Sequence, residues 1–339
     1  MFRKFGFASA AFVLASAVTF GSAHAQTEIK FTNDWKFEGP SGPLLLAVDK
    51  GYFAEEGLDV TVDTGAGSRE SIPRVASGTY PIGFGDVNAL IKFKDQNPEL
   101  DVKAVMMVYD APPFAVIGRK SLGVSAPKDL EGKVLGAPPP DAAFDKWPAF
   151  VELNDLDTSG MTIESVGFPI REPMLAQGKV QAIFGFSFSS FINLKANDVP
   201  EDDISVMLMS DFGLDLYGNV IIVNPDFAAE NPDAVKGFLR AYIKGWKDAV
   251  ANPQEAIDAV LKRNDVARND VEVERLEMAI NDNVLTDWVK ANGFGGIDES
   301  RFANSIEQLG LAYEYKTDVT TADIFTSEFL PPAEERMLP

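Results

Sequence analysis

The sequence contains no cysteine and one histidine, His24. That histidine lies in the opening stretch MFRKFGFASAAFVLASAVTFGSAHA, which reads as an export signal. Arg3 and Lys4 precede an apolar run, and small residues follow, ending Ala23-His24-Ala25. Residues 1–25 are therefore expected to be removed, with cleavage near Ala25/Gln26. The mature chain then has neither residue type. This excludes disulfides, thiolate and imidazole metal sites, and Cys–His or Ser–His–Asp nucleophiles. Carboxylates, lysines and tyrosines remain, so catalysis is deprived of its commonest general base but not ruled out.

After the signal, no run reaches the roughly 18 apolar residues that would cross a bilayer. Positive charge is scarce as well. The mature chain carries 28 basic side chains against 51 acidic ones, a net charge of −23. Nucleic acid, whose phosphates must be neutralised, is a poor partner for such a surface, and so is an anionic lipid face. With no cysteine to carry a lipid anchor, the expectation is a freely diffusing periplasmic protein, monomeric, with no metal and no cofactor.

About 314 residues remain after the signal, enough for two domains. Strand-like pieces alternate with helix-like ones: TEIKFTND, LDVTVDTG, YPIGFGD, VKAVMMVYD, FAVIGR, KVLGAP, MTIESVGF, VQAIFGF, ISVMLMSD and GNVIIVN. The strands are short and mostly continuously apolar, as expected when helices cover both faces of a sheet. The fold class is therefore α/β, with mainly parallel sheets. After residue 224 the pattern turns helical, and 318–339 reads as an ordered surface tail with proline stops. DAPPFAVIGRK (110–120) and DLYGNVIIVN (215–224) read as crossovers between lobes. Lobe 1 is then 26–113 plus 220–339, lobe 2 is 114–219, and a cleft lies between them.

Four stretches carry a family likeness: DW at a strand end, LLLAVDKGYFAEEGLDV, RVASGTYPIGFGD and PKDLEGKVLGAP. Across essentially the whole mature chain the sequence resembles the periplasmic solute-binding proteins of ABC importers, of the NMT1/THI5-like branch. That branch stands beside the sulfonate, nitrate and taurine binders. The resemblance implies a type II periplasmic-binding-protein fold, two lobes that close on a small solute, and delivery to permease subunits in the inner membrane. It also implies, as first expectation, an aminopyrimidine-like solute related to thiamine precursors. Some relatives in the fold make a pyrimidine from a bound cofactor; that chemistry is expected to need histidine and cysteine.

In open α/β sheets, ligands bind beyond the C-terminal ends of strands, where helices begin. This rule selects the candidate residues. Trp35 lies at such an end, and a planar ring there suits a flat ligand as well as lobe packing. The resemblance adds that pyrimidine-precursor binders carry an aromatic residue after this first strand. Phe37 and Glu38 share the loop. GPSGP, with Ser41, and GAGSRES, with Gly67 and Ser68, open helices and present N–H groups, for a ligand or for ordinary capping by Ser68. Asp86 and Asn88 follow a strand; Asp86 either caps the next helix, accepts protons from a ligand amine or amidine, or does both.

In the second lobe the candidates are Phe144, Phe168, Arg171, Phe186, Ser187, Phe188 and Tyr217. Asp141 is expected as a helix cap and Trp147 as core. Arg171, turned inward, implies a ligand carboxylate or sulfonate; turned outward, it pairs with Glu172 or another acid. FGFSFSSF alternates rings with serines, although thiamine-precursor binders are expected to carry a Trp and a Glu near this point. Tyr217 either closes the cleft or packs the hinge. Three readings stand beside the aminopyrimidine one: an aromatic carboxylate or organosulfonate binder, a sensor lobe or extracytoplasmic chaperone, and a pyrimidine-synthesising enzyme.

Overall fold

A computed structural model describes Met1 and residues 26–339. The expected export signal falls, apart from Met1, outside the described residues. Among the described residues, ten strands lie where the strand-like runs placed them. They are β1 (Thr27–Thr32), β2 (Leu58–Asp63), β3 (Ile82–Asp86), β4 (Lys103–Met107) and β5 (Phe114–Arg119). Then come β6 (Val134–Ala137), β7 (Thr162–Ser165), β8 (Ala182–Phe186), β9 (Ile204–Leu208) and β10 (Asn219–Val223).

They form two five-stranded sheets, ordered β2-β1-β3-β10-β4 and β7-β6-β8-β5-β9. In each sheet one strand opposes its neighbours: β10 runs antiparallel to β3 and β4, and β5 to β8 and β9. The exception to parallel order has a topological cause. β4 ends at the cleft, so the chain crosses there and enters the second sheet from its cleft side. The new strand must run away from the cleft, and Phe114 pairs with Phe186 at the end of β8. The return crossing repeats this, with Asn219 opposite Asp86.

β3 and β10 are buried along their length and β4 beyond its first residue, as strands covered on both faces should be. β7 departs from the apolar pattern. It is an edge strand and exposed at every residue.

The helical C-terminal part completes the first lobe. Helix Pro232–Ala251 buries Val235, Phe238, Leu239, Tyr242, Ile243, Trp246 and Ala249, a single stripe at helical spacing. Phe238 stacks on Phe31 of β1 with centroids 5.6 Å apart. Gly245 lets this helix touch helix Gly42–Asp49; a Cβ there would lie 2.2 Å from the carbonyl oxygen of Pro43. The tail is more than a surface strap. Phe325 bridges Ala104 of β4, Gly295 bridges Met107, and Ile324, Phe325 and Phe329 are buried. The free edge of β4 is thereby covered, which removes a site of unwanted strand pairing.

Candidate functional site

The cleft-side ends of the two sheets enclose a cavity with about 910 Å³ of empty space, its open mouth included. Six aromatic residues wall it: Trp35, Phe84 and Tyr109 from the first lobe, and Phe168, Phe186 and Phe188 from the second. The rings meet across the cleft. Trp35 and Phe168 stand edge to face with centroids 4.8 Å apart, and Tyr109 and Phe188 do so at 5.9 Å. A flat solute held between the lobes would find ring faces and edges on both sides, the geometry aromatic groups favour.

Charged contacts also join the lobes. Lys146 Nζ donates to Asp86 Oδ2 at 2.7 Å, and both residues are essentially inaccessible. Burial works against the lysine's charge, but Asp86 and Asp145 hold its pKa above the ordinary value. Asp145 in turn accepts from Lys92 at 2.6 Å and Arg69 at 2.9 Å, both from the first lobe. On the other flank, Arg275 of helix Asn269–Ala279 reaches helix Ser187–Ala196 in the second lobe. It donates to the carbonyl of Ser189 at 3.1 Å and to Asn193 Oδ1 at 3.0 Å, while Glu272 accepts from its Nε at 3.0 Å.

Of the fifteen sequence candidates, ten line this cavity: Trp35, Glu38, Ser41, Gly67, Ser68, Asp86, Phe168, Arg171, Phe186 and Phe188. Several do so in roles other than those expected. Ser68 is not a cap. Gly67, at φ 116°, holds the N-cap position, and Ser68 Oγ donates to Asp34 while accepting from the Asp86 amide. Ser41 Oγ accepts from Asn33. Asp86 is the expected cap, accepting from the Asn88 amide at 3.0 Å, and its other oxygen is taken by Lys146. Arg171 is neither a surface residue nor free for an anion. It is buried between Asp141, at 2.8 Å, and Glu172, at 2.6 Å. Asp141 also caps, accepting from the amides of Ala143 and Phe144.

The other five lie off the cavity. Phe37 packs against the first lobe's core and offers its carbonyl to Asn264. Asn88 is buried, donating to Asp86 Oδ1 and to the carbonyl of Tyr217. Phe144 lines a neighbouring depression with Arg69, Lys92, Trp147 and Tyr313. Ser187 is buried at the first turn of its helix, its amide donating to the Pro113 carbonyl. Tyr217 packs the hinge instead of closing the cleft. Its hydroxyl accepts from the Asp298 amide at 3.0 Å, and the Arg301 guanidinium lies 4.1 Å from its ring centre.

Sequence reasoning missed Asp34, Tyr109, Asn219 and Lys146, all of which line the cavity. Asp34 and Tyr109 stand just beyond β1 and β4, so the strand-end rule that selected Trp35 was available for them. Asn219 opens β10, whose reversed direction brings its first residue to the cleft. Lys146 had no signal, because its partner lies sixty residues away. Asp34 is buried, and its Oδ2 accepts from Ser68 Oγ at 3.2 Å and Asn219 Nδ2 at 2.7 Å. Burial pushes its pKa up to about 7, against the lowering effect of those two hydrogen bonds.

The family model described as NMT1/THI5 like matches residues 40–256. The chain is 26% identical over 293 residues to the riboflavin-binding protein RibY of Chloroflexus aurantiacus, covering 85% of this chain and 82% of that one. It is 27% identical over 300 residues to the formylaminopyrimidine-binding protein of Halalkalibacterium halodurans, covering 87% and 88%. At 23% over 317 residues it matches the 4-amino-5-hydroxymethyl-2-methylpyrimidine phosphate synthase of Aspergillus parasiticus, covering 86% and 90%. In three dimensions it is similar to the periplasmic aliphatic sulphonate binding protein SsuA of Escherichia coli, with TM-score 0.69 and 11% identity over 87% of this chain and 91% of that one. At such identity the likeness establishes the fold, that of the periplasmic binding proteins.

Proposed function

The chain belongs to the NMT1/THI5-like family, and on that premise we propose that it is the solute-binding component of an ABC-type importer. It captures a flat nitrogen heteroaromatic solute of the aminopyrimidine class between its lobes and hands it to a membrane permease. The observation that carries this reading is the cavity wall, six aromatic residues drawn from both lobes around a buried carboxylate. Solute bridging the two sets of rings stabilises the closed arrangement over an open one, and that difference in affinity is the whole driving force for closure. The role places the protein outside the cytoplasmic membrane, and the periplasm is the compartment proposed for it.

Three other readings meet the same wall. The aromatic carboxylate or organosulfonate reading drew on Arg171, and Arg171 already faces two acids. Synthesis of a pyrimidine has no histidine or cysteine to draw on after residue 24. A flavin is the second reading, favoured by the likeness to RibY over most of both chains.

A thermal-shift screen tests the proposal. The mature protein is unfolded and refolded to strip any carried solute, then melted with aminopyrimidines, riboflavin, aromatic carboxylates and sulfonates. A solute at 100 times its dissociation constant adds about 2.7 kcal/mol, a readable rise in melting temperature. A rise with aminopyrimidines supports the reading. A rise only with acids or sulfonates overturns it.

A further inference from the structure

Five carboxylates reach the cavity, and four of them have a cation beside them. Glu38 has Lys36 at 2.9 Å, Asp86 has Lys146 at 2.7 Å, Asp141 has Arg171 at 2.8 Å, and Asp145 has Lys92 at 2.6 Å. Asp34 has only the neutral donors Ser68 and Asn219, and both use the same oxygen, Oδ2. Among the described residues both of these side-chain bonds fall on Oδ2, and Asp34, 8% exposed as a residue, lines the cavity with no side chain donating to Oδ1. A carboxylate oxygen left open towards a cavity is a ready acceptor, and hydrogen bonds to a charged group are among the stronger ones. The cavity is the side from which a further donor reaches Asp34.

Resting on the reading above, we infer that Asp34 is the specificity determinant of this cleft, accepting an N–H from the exocyclic amine or protonated ring nitrogen of the bound base and rejecting oxo bases. An exocyclic amine brings two N–H donors with no oxygen in the way. An oxo-pyrimidine, or the carbonyl-flanked N–H edge of a flavin, brings an acceptor oxygen towards the carboxylate. Two acceptors meeting in a desolvated site leave both unpaired, and sites of this kind reject the wrong partner strongly. The surrounding bonds fix the carboxylate's orientation. Ser68 Oγ accepts from the Asp86 amide at 2.9 Å, so its own proton is directed to Asp34.

Asp34→Asn is the informative variant. The new side chain can keep both protein hydrogen bonds through its carbonyl, which takes the place of Oδ2. Its amino group then replaces Oδ1 and turns an acceptor into a donor. The preference of the cleft should invert while the fold is unchanged.

The experiment is isothermal titration at about pH 8.5, above the value of about 7 at which the Asp34 carboxyl ionises, of wild-type and Asp34→Asn protein with 4-amino-2-methylpyrimidine, 2-methylpyrimidin-4-one and riboflavin. Circular dichroism confirms that the variant is folded. Wild-type protein should prefer the amino compound over the oxo compound by about 10- to 100-fold, the range of one hydrogen bond to a charged group. In Asp34→Asn the ratio should fall to about one or reverse. A wild-type ratio near one overturns the inference without needing the variant. An unchanged ratio in a folded variant overturns it while leaving aminopyrimidine capture in place. Wild-type protein that binds riboflavin and neither pyrimidine overturns both.

Discussion

Lys146 and Asp86 face each other across the cleft at 2.7 Å, one from each lobe, and both are buried. The pair ties closure to electrostatics, because opening the lobes parts two charges. Removing one partner leaves the other buried and uncompensated, which costs about 3–5 kcal/mol where it has been measured in other proteins. Lys146→Met should therefore lower the urea midpoint strongly. Lys146→Met with Asp86→Asn should recover much of the loss, since neither charge then remains. Equal destabilisation by the single and the double variant in urea titrations would sink the idea that the pair acts as a unit.

Asp34 gives a pH dependence of stability. Its carboxyl is pushed up to about 7 by burial in the folded state, from an ordinary value of 3.8. The folded chain therefore binds more protons than the unfolded chain between those values. Stability from this group is fully present below about pH 4, declines as pH rises, and is gone above about pH 7. The shift corresponds to roughly 4 kcal/mol as an order of magnitude. Asp34→Asn cannot ionise and escapes this loss. The difference in unfolding free energy between variant and wild type should grow in the variant's favour from pH 4 to pH 8. A constant difference across that range in denaturant titrations would refute the assignment.

The fold was largely legible because its signals are local. Ten short apolar runs set the strands, and the two crossovers follow from proline and glycine near residues 112 and 218. Trp35 was legible for the same reason, since a ring at a strand end faces the cleft whatever the partners are. The roles of Arg171, Asp86 and Asp34 were not. Each is decided by which side chains sit opposite, charged for Arg171 and Asp86 and neutral for Asp34, and those lie thirty, sixty and one hundred and eighty-five residues away. A sequence shows a carboxylate but not whether it has a cation.

Arg275 joins helix Asn269–Ala279 to the second lobe, beside the ion pair of Glu274 with Lys195. It donates to two backbone carbonyls, those of Phe188 and Ser189, at 3.3 and 3.1 Å. Phe188 also lines the cavity, so this contact sets the height of a ring that touches solute. Arg275→Met should weaken solute binding by about tenfold or more, through loss of charged hydrogen bonds of about 1.5–3 kcal/mol each. It should also enlarge the solute-loaded protein in small-angle scattering, as closure becomes less favourable. Unchanged affinity and unchanged radius of gyration would show that the helix packs beside the second lobe without holding it.

Trp35 carries the last prediction. Its ring is half-buried and meets Phe168 at 4.8 Å, the two coming from opposite lobes. A solute entering between the lobes must lie against this ring, so the residue's value is expressed mainly in the bound state. Trp35→Ala should therefore leave the denaturation midpoint close to wild type. Solute affinity should fall by about 10- to 100-fold, from the ring's stacking contribution of about 0.5–1.5 kcal/mol and the apolar area it buries. Trp35→Phe keeps a ring and should fall between the two. Quenching of tryptophan emission by solute should be largely lost in Trp35→Phe, because Trp246 and Trp147 are core residues and none of the other three tryptophans lines the cavity. If Trp35→Ala instead lowers stability and leaves the dissociation constant where it was, the ring is packing the lobes together and the solute binds elsewhere in the cleft.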